Sequence, residues 1–252
     1  GYQKDKKRGG DDAAADGTNY AVDELKRFTT WLSEREEEPF TAVVDGPNVG
    51  YFGHSTLRYS QIKLVVDKLE AMNERPLVVM LEKYTRTNFW GSKEHQQLAK
   101  RDMEVIQNLT NSGQFYVVKP TCLDDFYWMI ASVVNQTNAP KEGEWVVDAG
   151  NEEGRYPGLR PIVISNDQMR DHKEALLGRR AFRRWRGSHI VNFNFPGFYA
   201  DEWEERPVEF CAADFFSREI QGNPSASNGG LAWHFPVSGW DQNERLCIRI
   251  PL

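Results

Sequence analysis

The sequence predicts an α/β fold with a doubly wound, mainly parallel sheet and a small β-rich platform appended to it. Apolar, β-branched runs alternate with segments whose apolar residues recur at helical spacing, which is typical of parallel sheets. This alternation ends near residue 205, where short β segments separated by Asn, Ser and Gly begin. The 252 residues, with eight Trp, can form one large domain or a domain with a smaller appendage.

The first half of the chain supplies three helices and three strands. Residues 21–38 carry Val22, Leu25, Phe28 and Trp31 at helical spacing and predict an amphipathic helix. The remaining elements of this half are recognised in the same way. They are strand 41–45, helix 59–74, strand 76–81, helix 92–112 and strand 114–119.

The second half continues the alternation and then changes. The predicted elements are helix 124–136, a polar, Gly-rich surface loop at 138–160, strand 161–165, helix 167–178 and strand 188–195. The β segments of the tail are 207–211, 232–237 and 245–250. We therefore divide the chain into a disordered lead-in at 1–19, an α/β domain at 40–200, and a platform formed by 20–39 and 201–252.

Composition excludes several classes of protein. No run of about 18 apolar residues is present, so no membrane partner is expected. Three cysteines without CxxC spacing argue against a disulfide scaffold and favour a reducing, intracellular compartment. The net charge of −6 argues against a generally basic nucleic-acid binder but permits a local basic patch. No GxGxxG, Walker A or GxSxG motif occurs, which disfavours dinucleotide, nucleotide triphosphate and serine-hydrolase chemistry.

Acidic residues follow three of the predicted strands. Asp45 ends the first strand, Asp124 and Asp125 begin the helix after 114–119, and Asp167 begins the helix after 161–165. In a doubly wound sheet these positions fall at the carboxyl edge, where ligands bind. Asp171 lies one turn beyond Asp167 on the same helix face. Four or five carboxylates are therefore expected to converge.

Crowded carboxylates raise each other's pKa unless a cation neutralises them. Oxygen ligands without a His/Cys cluster favour Mg²⁺ or Mn²⁺ over zinc. Two such ions about 4 Å apart could activate water and stabilise the leaving oxygen of a phosphodiester. The alternative is helix capping, for which Asp is a preferred residue. Capping explains Asp124 and Asp167 singly, but not Asp125 together with Asp45.

Two further features accompany the acids. Asn48 and Asn166 are candidate supporting groups or substrate donors, and both also suit turns. A basic strip at 170–186, with Phe182 and Trp185 interleaved, begins beside the last acids. Its arginines are Arg170, Arg179, Arg180, Arg183, Arg184 and Arg186. Arginines next to metal-bound carboxylates suit a polyanionic substrate such as RNA. The alternative is a solvated helix face paired with the chain's glutamates.

Several segments resemble, in order and approximate spacing, the metallonuclease of protein-only (proteinaceous) RNase P. They are DGPNVGY at 45–51, CLDDFYWMIAS at 122–132, VISNDQMRDH at 163–172, AFRRWRGSHIVNF at 181–193, WHFP at 233–236 and LC at 246–247. The resemblance covers about residues 20–252. DGxN and SNDxxRD also resemble other NYN/PIN-type ribonucleases, whereas DDxYW and WHxP favour the RNase P branch.

The resemblance implies an NYN/PIN-like fold and metal-dependent removal of the 5′ leader of precursor tRNA, leaving a 5′-phosphate and a 3′-hydroxyl. The implied catalytic and Mg²⁺-binding residues are Asp45, Asp124, Asp125 and Asp167. Asp171 and His172 match the adjoining MRDH segment as supporting residues. The alternatives are an NYN-type ribonuclease acting on messenger RNA or other unstructured RNA, and a non-catalytic RNA-binding or scaffold module.

The resemblance also implies a structural zinc ion, whose ligands here would be His234 and Cys247. Its other two ligands form a cysteine pair upstream of the nuclease, and no cysteine precedes Cys122. We therefore expect either a fragment of a longer protein or a zinc site that is lost or altered. The family's pentatricopeptide-repeat arm has no counterpart in this sequence, so precursor tRNA would be held by a missing arm or a partner protein. The implied location is the nucleus or an organelle such as the mitochondrion.

Overall fold

The computed structural model describes residues 11–134, 161–169, 179–196, 206–211, 221–224, 231–236 and 245–250. The helices are α1 (Asp11–Ser33), α2 (Gly46–Gly50), α3 (Tyr59–Ala71), α4 (Lys100–Asn111), α5 (Asp124–Val134) and α6 (Arg179–His189), with a 3₁₀ turn at Glu82–Thr85. The strands are β1 (Ala42–Asp45), β2 (Pro76–Leu81), β3 (Asn88–Trp90), β4 (His95–Gln97), β5 (Phe115–Val118), β6 (Ile162–Ile164), β7 (Ile190–Asn194), β8 (Glu209–Cys211), β9 (Gln221–Pro224), β10 (Leu231–Pro236) and β11 (Arg245–Ile250).

A six-stranded sheet in the order β5-β2-β1-β6-β7-β8 forms the centre of the fold. Its first five strands are parallel and β8 is antiparallel to β7. The chain builds outward from β1 through β2 to β5, and then returns to place β6 on the other side of β1. The strand order therefore reverses between β1 and β6. This topology confirms the predicted α/β class with a mainly parallel sheet.

Both faces of the sheet are buried, because side chains alternate between the faces along each strand. Val44, Val78 and Ile164 pack with α3 and α4 in one apolar cluster. Val43 and Val163 point the other way and pack with α1, α5 and α6 in a second cluster. By the same alternation, the side chains of Asp45, at the end of β1, and Ser165, directly after β6, lie on the sheet face that carries α5.

The predicted helix at 92–112 is wrong in its first half. Residues 88–97 form an antiparallel hairpin, β3–β4, and the helix begins only at Lys100. Tertiary contacts explain the difference: Phe89 is 5% exposed, and the Gln96 side chain donates to Leu57 O at 2.6 Å and accepts from Leu57 N at 2.8 Å. These long-range bonds outweigh the local helical pattern.

The segments around the last parallel strands also differ from prediction. Residues 167–169 are not helical, because Met169 has a φ of 51°. The remainder of the predicted 167–178 helix lies outside the described residues, as does the 138–160 loop. Ser188 and His189 belong to α6 rather than to the following strand, and the Ser188 hydroxyl donates to Arg184 O at 2.8 Å.

The segments assigned to the lead-in and to the platform contain regular structure of their own. Residues 11–19, expected in a disordered lead-in, form the first turns of α1. Phe28 and Leu32 of α1 pack on the central sheet, and β8 extends that sheet by pairing with β7. The other described strands of the tail, β9, β10 and β11, form a separate three-stranded antiparallel sheet in the order β11-β10-β9. Among the described helices, none has the length and apolarity needed to cross a membrane.

Candidate active site

Asp45 lies at the carboxyl end of β1, where the strand order reverses. Its side chain is on the α5 face of the sheet and the residue is 4% exposed. The Asn48 backbone N–H donates to Oδ1 at 3.1 Å, and the Ser165 hydroxyl donates to Oδ2 at 2.7 Å. Neighbouring parallel strands diverge at this point and leave a crevice that ligands commonly occupy. Asp45 therefore sits at the base of the expected binding crevice.

The turn after Asp45 brings the chain very close to β2. A Cβ added to Gly46 would lie 2.7 Å from the backbone oxygen of Val79 and 2.7 Å from Met80 Cε. Only glycine fits this approach without a shift of backbone. Gly46 thus lets α2 begin immediately after Asp45 and present the Asn48 N–H to its carboxylate.

Asp124 and Asp125 reach the same place from the first turn of α5, which packs across β1 and β2. Burial, followed by the charge of Asp125, raises the pKa of Asp124 to about 6. Burial, followed by the charge of Asp124, holds the pKa of Asp45 well above its ordinary range. The charges of Asp124 and Asp125 both act on Asp45, and the charge of Asp125 acts on Asp124, so the three acids lie near one another.

Asp167 joins the group through Ser165. The Asp167 backbone N–H donates to Ser165 Oγ at 3.0 Å, so one hydroxyl links the carboxylate of Asp45 to the backbone of Asp167. The Asp167 carboxylate accepts from the Met169 N–H at 2.8 Å, closing a tight turn. Asp167 is thus not the N-cap of a helix within 167–169. It is partly exposed at the rim of the crevice.

The two predicted supporting asparagines hold the crevice together. Asn48 Oδ1 accepts from the Asn166 N–H at 2.9 Å, which ties the turn after β1 to the turn after β6. Asn166 donates from Nδ2 to Phe193 O at 2.9 Å and accepts at Oδ1 from Phe193 N at 3.1 Å. Through these bonds Asn166 bridges β6 and β7, and its role as a substrate donor stays a prediction.

The described carboxylates do not form a preformed metal-binding site. Within the described residues, no three acidic, histidine or cysteine side chains stand close enough together to hold a metal ion as they are placed. The chemistry of the donors nevertheless fits a hard cation. The available groups are carboxylate oxygens, and the pKa of Asp124 and of Asp45 is raised first by burial and then by neighbouring negative charge, which a cation would offset.

Comparison with known proteins gives a consistent result. No family model matches the chain. The chain is 24% identical over 234 residues to "Proteinaceous RNase P 2" of Arabidopsis thaliana, covering 89% of this chain and 36% of that protein. It is 26% identical over 216 residues to "Proteinaceous RNase P 1, chloroplastic/mitochondrial" of the same plant, covering 85% of this chain and 30% of that protein.

Solved structures show the same likeness. The crystal structure of nuclear proteinaceous RNase P 2 from A. thaliana superposes with a TM-score of 0.60 at 21% identity, over 94% of this chain and 43% of that one. A second structure of that protein gives a TM-score of 0.57 at 20% identity, over 97% of this chain and 44% of that one. The chain is similar to proteinaceous RNase P. This confirms the resemblance, and the chain spans about a third of the length of the curated relatives it matches.

The basic strip is only partly described. Arg170, like Asp171 and His172, lies outside the described residues. Arg179 and Arg180 lie in the first turn of α6, and their side chains are not described. The other three arginines of the strip are exposed, namely Arg183, Arg184 and Arg186.

The aromatic residues of the strip face the interior. Trp185 Nε1 donates to Ser132 Oγ at 2.7 Å, and the Trp185 ring stacks on Trp128 with 6.2 Å between centroids. Phe182 is 3% exposed. These contacts anchor α6 to α5, which positions the exposed arginines relative to the helix that carries Asp124 and Asp125.

The two expected zinc ligands lie opposite each other on the small sheet. His234 of β10 and Cys247 of β11 are direct cross-strand partners in the backbone pairing of the two strands. Cys247 is exposed. The fold thus brings the pair together, and metal binding by the pair stays a prediction.

Sequence reasoning missed Ser165, Asn192 and Lys83. Ser165 is fully buried and links two of the acids, while Asn192 Nδ2 donates to Ser165 O at 2.9 Å. Lys83, in the turn after β2, is near enough to Asp124 for its positive charge to favour the ionised carboxylate. A serine between strand and turn, or one lysine among many, carries no distinguishing signal in a single sequence.

Proposed function

We propose that the chain is the catalytic portion of a metal-dependent endoribonuclease that removes the 5′ leader of precursor tRNA, leaving a 5′-phosphate and a 3′-hydroxyl. One observation carries the proposal: burial and the charge of neighbouring acids raise the pKa of Asp45 and of Asp124 at the strand-order reversal of a fold similar to that of proteinaceous RNase P. Buried acids that repel each other are costly to the fold, and such groups cluster at functional sites.

Mg²⁺, or Mn²⁺ in its place, is the proposed cofactor, as two ions held by Asp45, Asp124, Asp125 and Asp167. When bound, the ions supply positive charge that activates water for attack on phosphorus and stabilises the leaving oxygen. Ser165 and the Asn48 N–H hold the Asp45 carboxylate in a fixed orientation. Asn166 keeps the turns after β1 and β6 together, so that Asp167 stays beside Asp45.

The substrate would be held by positive groups flanking the acids. Arg183, Arg184 and Arg186 are exposed on α6 and would contact phosphates next to the one being cut. Arg170, Arg179 and Arg180 are proposed to extend this surface from the sequence pattern alone, and Asp171 and His172 are proposed on the same basis to support the metal-binding acids. Because the net charge is −6, these local contacts would give modest affinity. A pentatricopeptide-repeat arm or a partner protein is proposed to supply the remaining binding affinity for tRNA.

Two further parts of the proposal rest on the relatives. His234 and Cys247 would supply half of a structural zinc site, with the other ligands coming from outside the present sequence. The relatives are named as nuclear and as chloroplastic/mitochondrial proteins. We therefore propose an intracellular protein of the nucleus or of an organelle.

The test is cleavage of a 5′-labelled precursor tRNA in Mg²⁺, in EDTA, and by the Asp45→Asn variant. A single cut at the mature 5′ end that needs Mg²⁺ and is lost in the variant would support the proposal. Scattered cuts in unstructured RNA would instead favour a ribonuclease acting on messenger RNA. No cleavage by a folded sample, alone or with a pentatricopeptide-repeat arm supplied in trans, would favour a non-catalytic RNA-binding module.

A further inference from the structure

An exposed tryptophan stands on the β3–β4 hairpin. Trp90 is 68% exposed, more than any other large apolar side chain that the structure describes. Its cross-strand partner is His95, whose ring meets it edge-on, with 6.5 Å between centroids and 62° between planes. This edge-on contact does not cover the indole as a parallel stack would. Leaving so much aromatic surface in water is unfavourable unless another molecule covers it.

The hairpin is held rigidly, so Trp90 is presented in a fixed place. Phe89, on the opposite face of the strand, packs against Tyr84 with 5.2 Å between ring centroids. The Gln96 amide bonds both backbone groups of Leu57, at 2.6 and 2.8 Å. At the tip, the Gly91 N–H donates to Glu94 O at 2.8 Å. Ordering the hairpin in advance lowers the entropic cost of binding a ligand on its outer face.

The hairpin lies on the same edge of the sheet as the acids. It follows the carboxyl end of β2 through the 3₁₀ turn, and β2 pairs directly with β1, where Asp45 faces Val79 in register. The hairpin therefore emerges at the carboxyl edge of the sheet, on the side that carries β2 and β5, and its Phe89 packs in the apolar cluster that contains α3 and α4.

The charge around the hairpin suits an anionic ligand. The exposed cations of this edge are Lys83, Arg86, Lys93 and Lys119. Glu82 partly offsets them, at 3.3 Å from Arg86 and 3.8 Å from Lys119, and Glu94 is a second acid. The other outward-facing residues of the hairpin, Asn88 and Gln97, are exposed amides that can bond a base edge. An aromatic ring flanked by amides and cations is the combination that binds unpaired nucleotides.

We propose that the outer face of the β3–β4 hairpin binds single-stranded RNA next to the cut, with an unpaired base stacked on Trp90. The inference rests on the proposed nuclease function for its choice of RNA. It adds a second RNA-contacting surface, on the opposite side of the acids from the arginines of α6. A single strand could then be held on both sides of the reacting phosphate.

The test is binding of a fluorescein-labelled ten-nucleotide oligoadenylate, measured by anisotropy in EDTA so that no metal-dependent cutting intervenes. Trp90→Ala should weaken binding roughly tenfold, because stacking on one aromatic side chain contributes about that much per base. Trp90→Phe should stay within about threefold of the wild type, since it keeps an aromatic face. Trp233→Ala is the matched control, because Trp233 is an exposed tryptophan on the separate sheet, at 38%.

Binding by Trp90→Ala within twofold of the wild type would overturn the inference, and so would an equal loss in Trp233→Ala. A hairpin that instead docks a protein would give the first of these results. The outcome is separable from that of the proposed function. If precursor tRNA is not cut but oligoadenylate binding depends on Trp90, the nuclease proposal fails and the hairpin surface stands. If precursor tRNA is cut but oligoadenylate binding does not depend on Trp90, only the hairpin inference fails.

Discussion

Replacing Asp124 by Asn should make the protein more stable while abolishing cleavage. The pKa of Asp124 is raised from 3.8 to about 6, first by burial and then by Asp125. Because the folded state holds this proton more tightly than the unfolded state, stability falls as pH rises from 3.8 to 6, and the whole penalty is present above pH 6. A gap of roughly two pKa units corresponds to about 3 kcal/mol, which is an upper bound for the gain on removing the charge.

The size of this gain should depend on pH. At pH 7.5 the variant should be more stable by up to ~3 kcal/mol, which corresponds to a rise in melting temperature of roughly 4–10 °C for a chain of this size. At pH 4.5 the carboxyl group is largely protonated in the folded state, so the gain should shrink to about 1 kcal/mol. Asparagine has nearly the same shape, so loss of packing should not obscure the difference.

The assay is urea unfolding in EDTA at both pH values, with Asp23→Asn as the matched control. Asp23 is an exposed acid, 64% accessible, in a surface pair with Lys26 at 3.3 Å. Its replacement should change the free energy of unfolding by less than about 1 kcal/mol. Mg²⁺ should stabilise the wild type by mass action and leave Asp124→Asn nearly unaffected. A variant that is less stable at pH 7.5, or equally stabilised by Mg²⁺, would refute the reasoning and make Asp124 a structural acid.

Three other predictions concern the surroundings of the acids. Ser165→Ala should lower the free energy of unfolding by about 1–3 kcal/mol and reduce cleavage, because it leaves a buried Asp45 oxygen and the Asp167 N–H without their hydrogen-bond partner. Unchanged cleavage would show that the hydroxyl does not orient the acid. Burial lowers the pKa of His189 to about 4, so its contribution to stability is lost as pH falls from 6.5 towards 4. The difference in free energy of unfolding between wild type and His189→Gln should therefore change by about 2 kcal/mol, against the wild type, from pH 7.5 to pH 5, and a constant difference would contradict the shift. Reversing the charge of Arg183 and Arg184 should weaken RNA binding and flatten its dependence on log salt concentration by roughly one unit per lost contact; an unaltered slope would mean that α6 faces away from RNA.

Much of the fold could be predicted from local sequence patterns. The β-branched runs ending at Asp45 and before Ser165 predict buried strands because only such strands tolerate apolar side chains on both faces. Asp124 at the start of α5 followed from the same strand-and-helix alternation. The hairpin at 88–97 could not be predicted from local patterns. Its position depends on the packing of Phe89 against Tyr84 and on the hydrogen bonds of Gln96 to Leu57, which is 39 residues away in sequence.

The sequence by itself determined which residues end the strands, and therefore that Asp45, Asp124, Asp125 and Asp167 would share one edge of a sheet. Only the tertiary structure decided how they meet there. The pairing of β1 with β6 puts Asp45 and Ser165 on the same face, and the packing of α5 on that face brings Asp124 close enough to alter the ionisation of Asp45. The physical reason is that a strand's pattern fixes which residues alternate, whereas register and helix packing fix which side chains come within bonding distance.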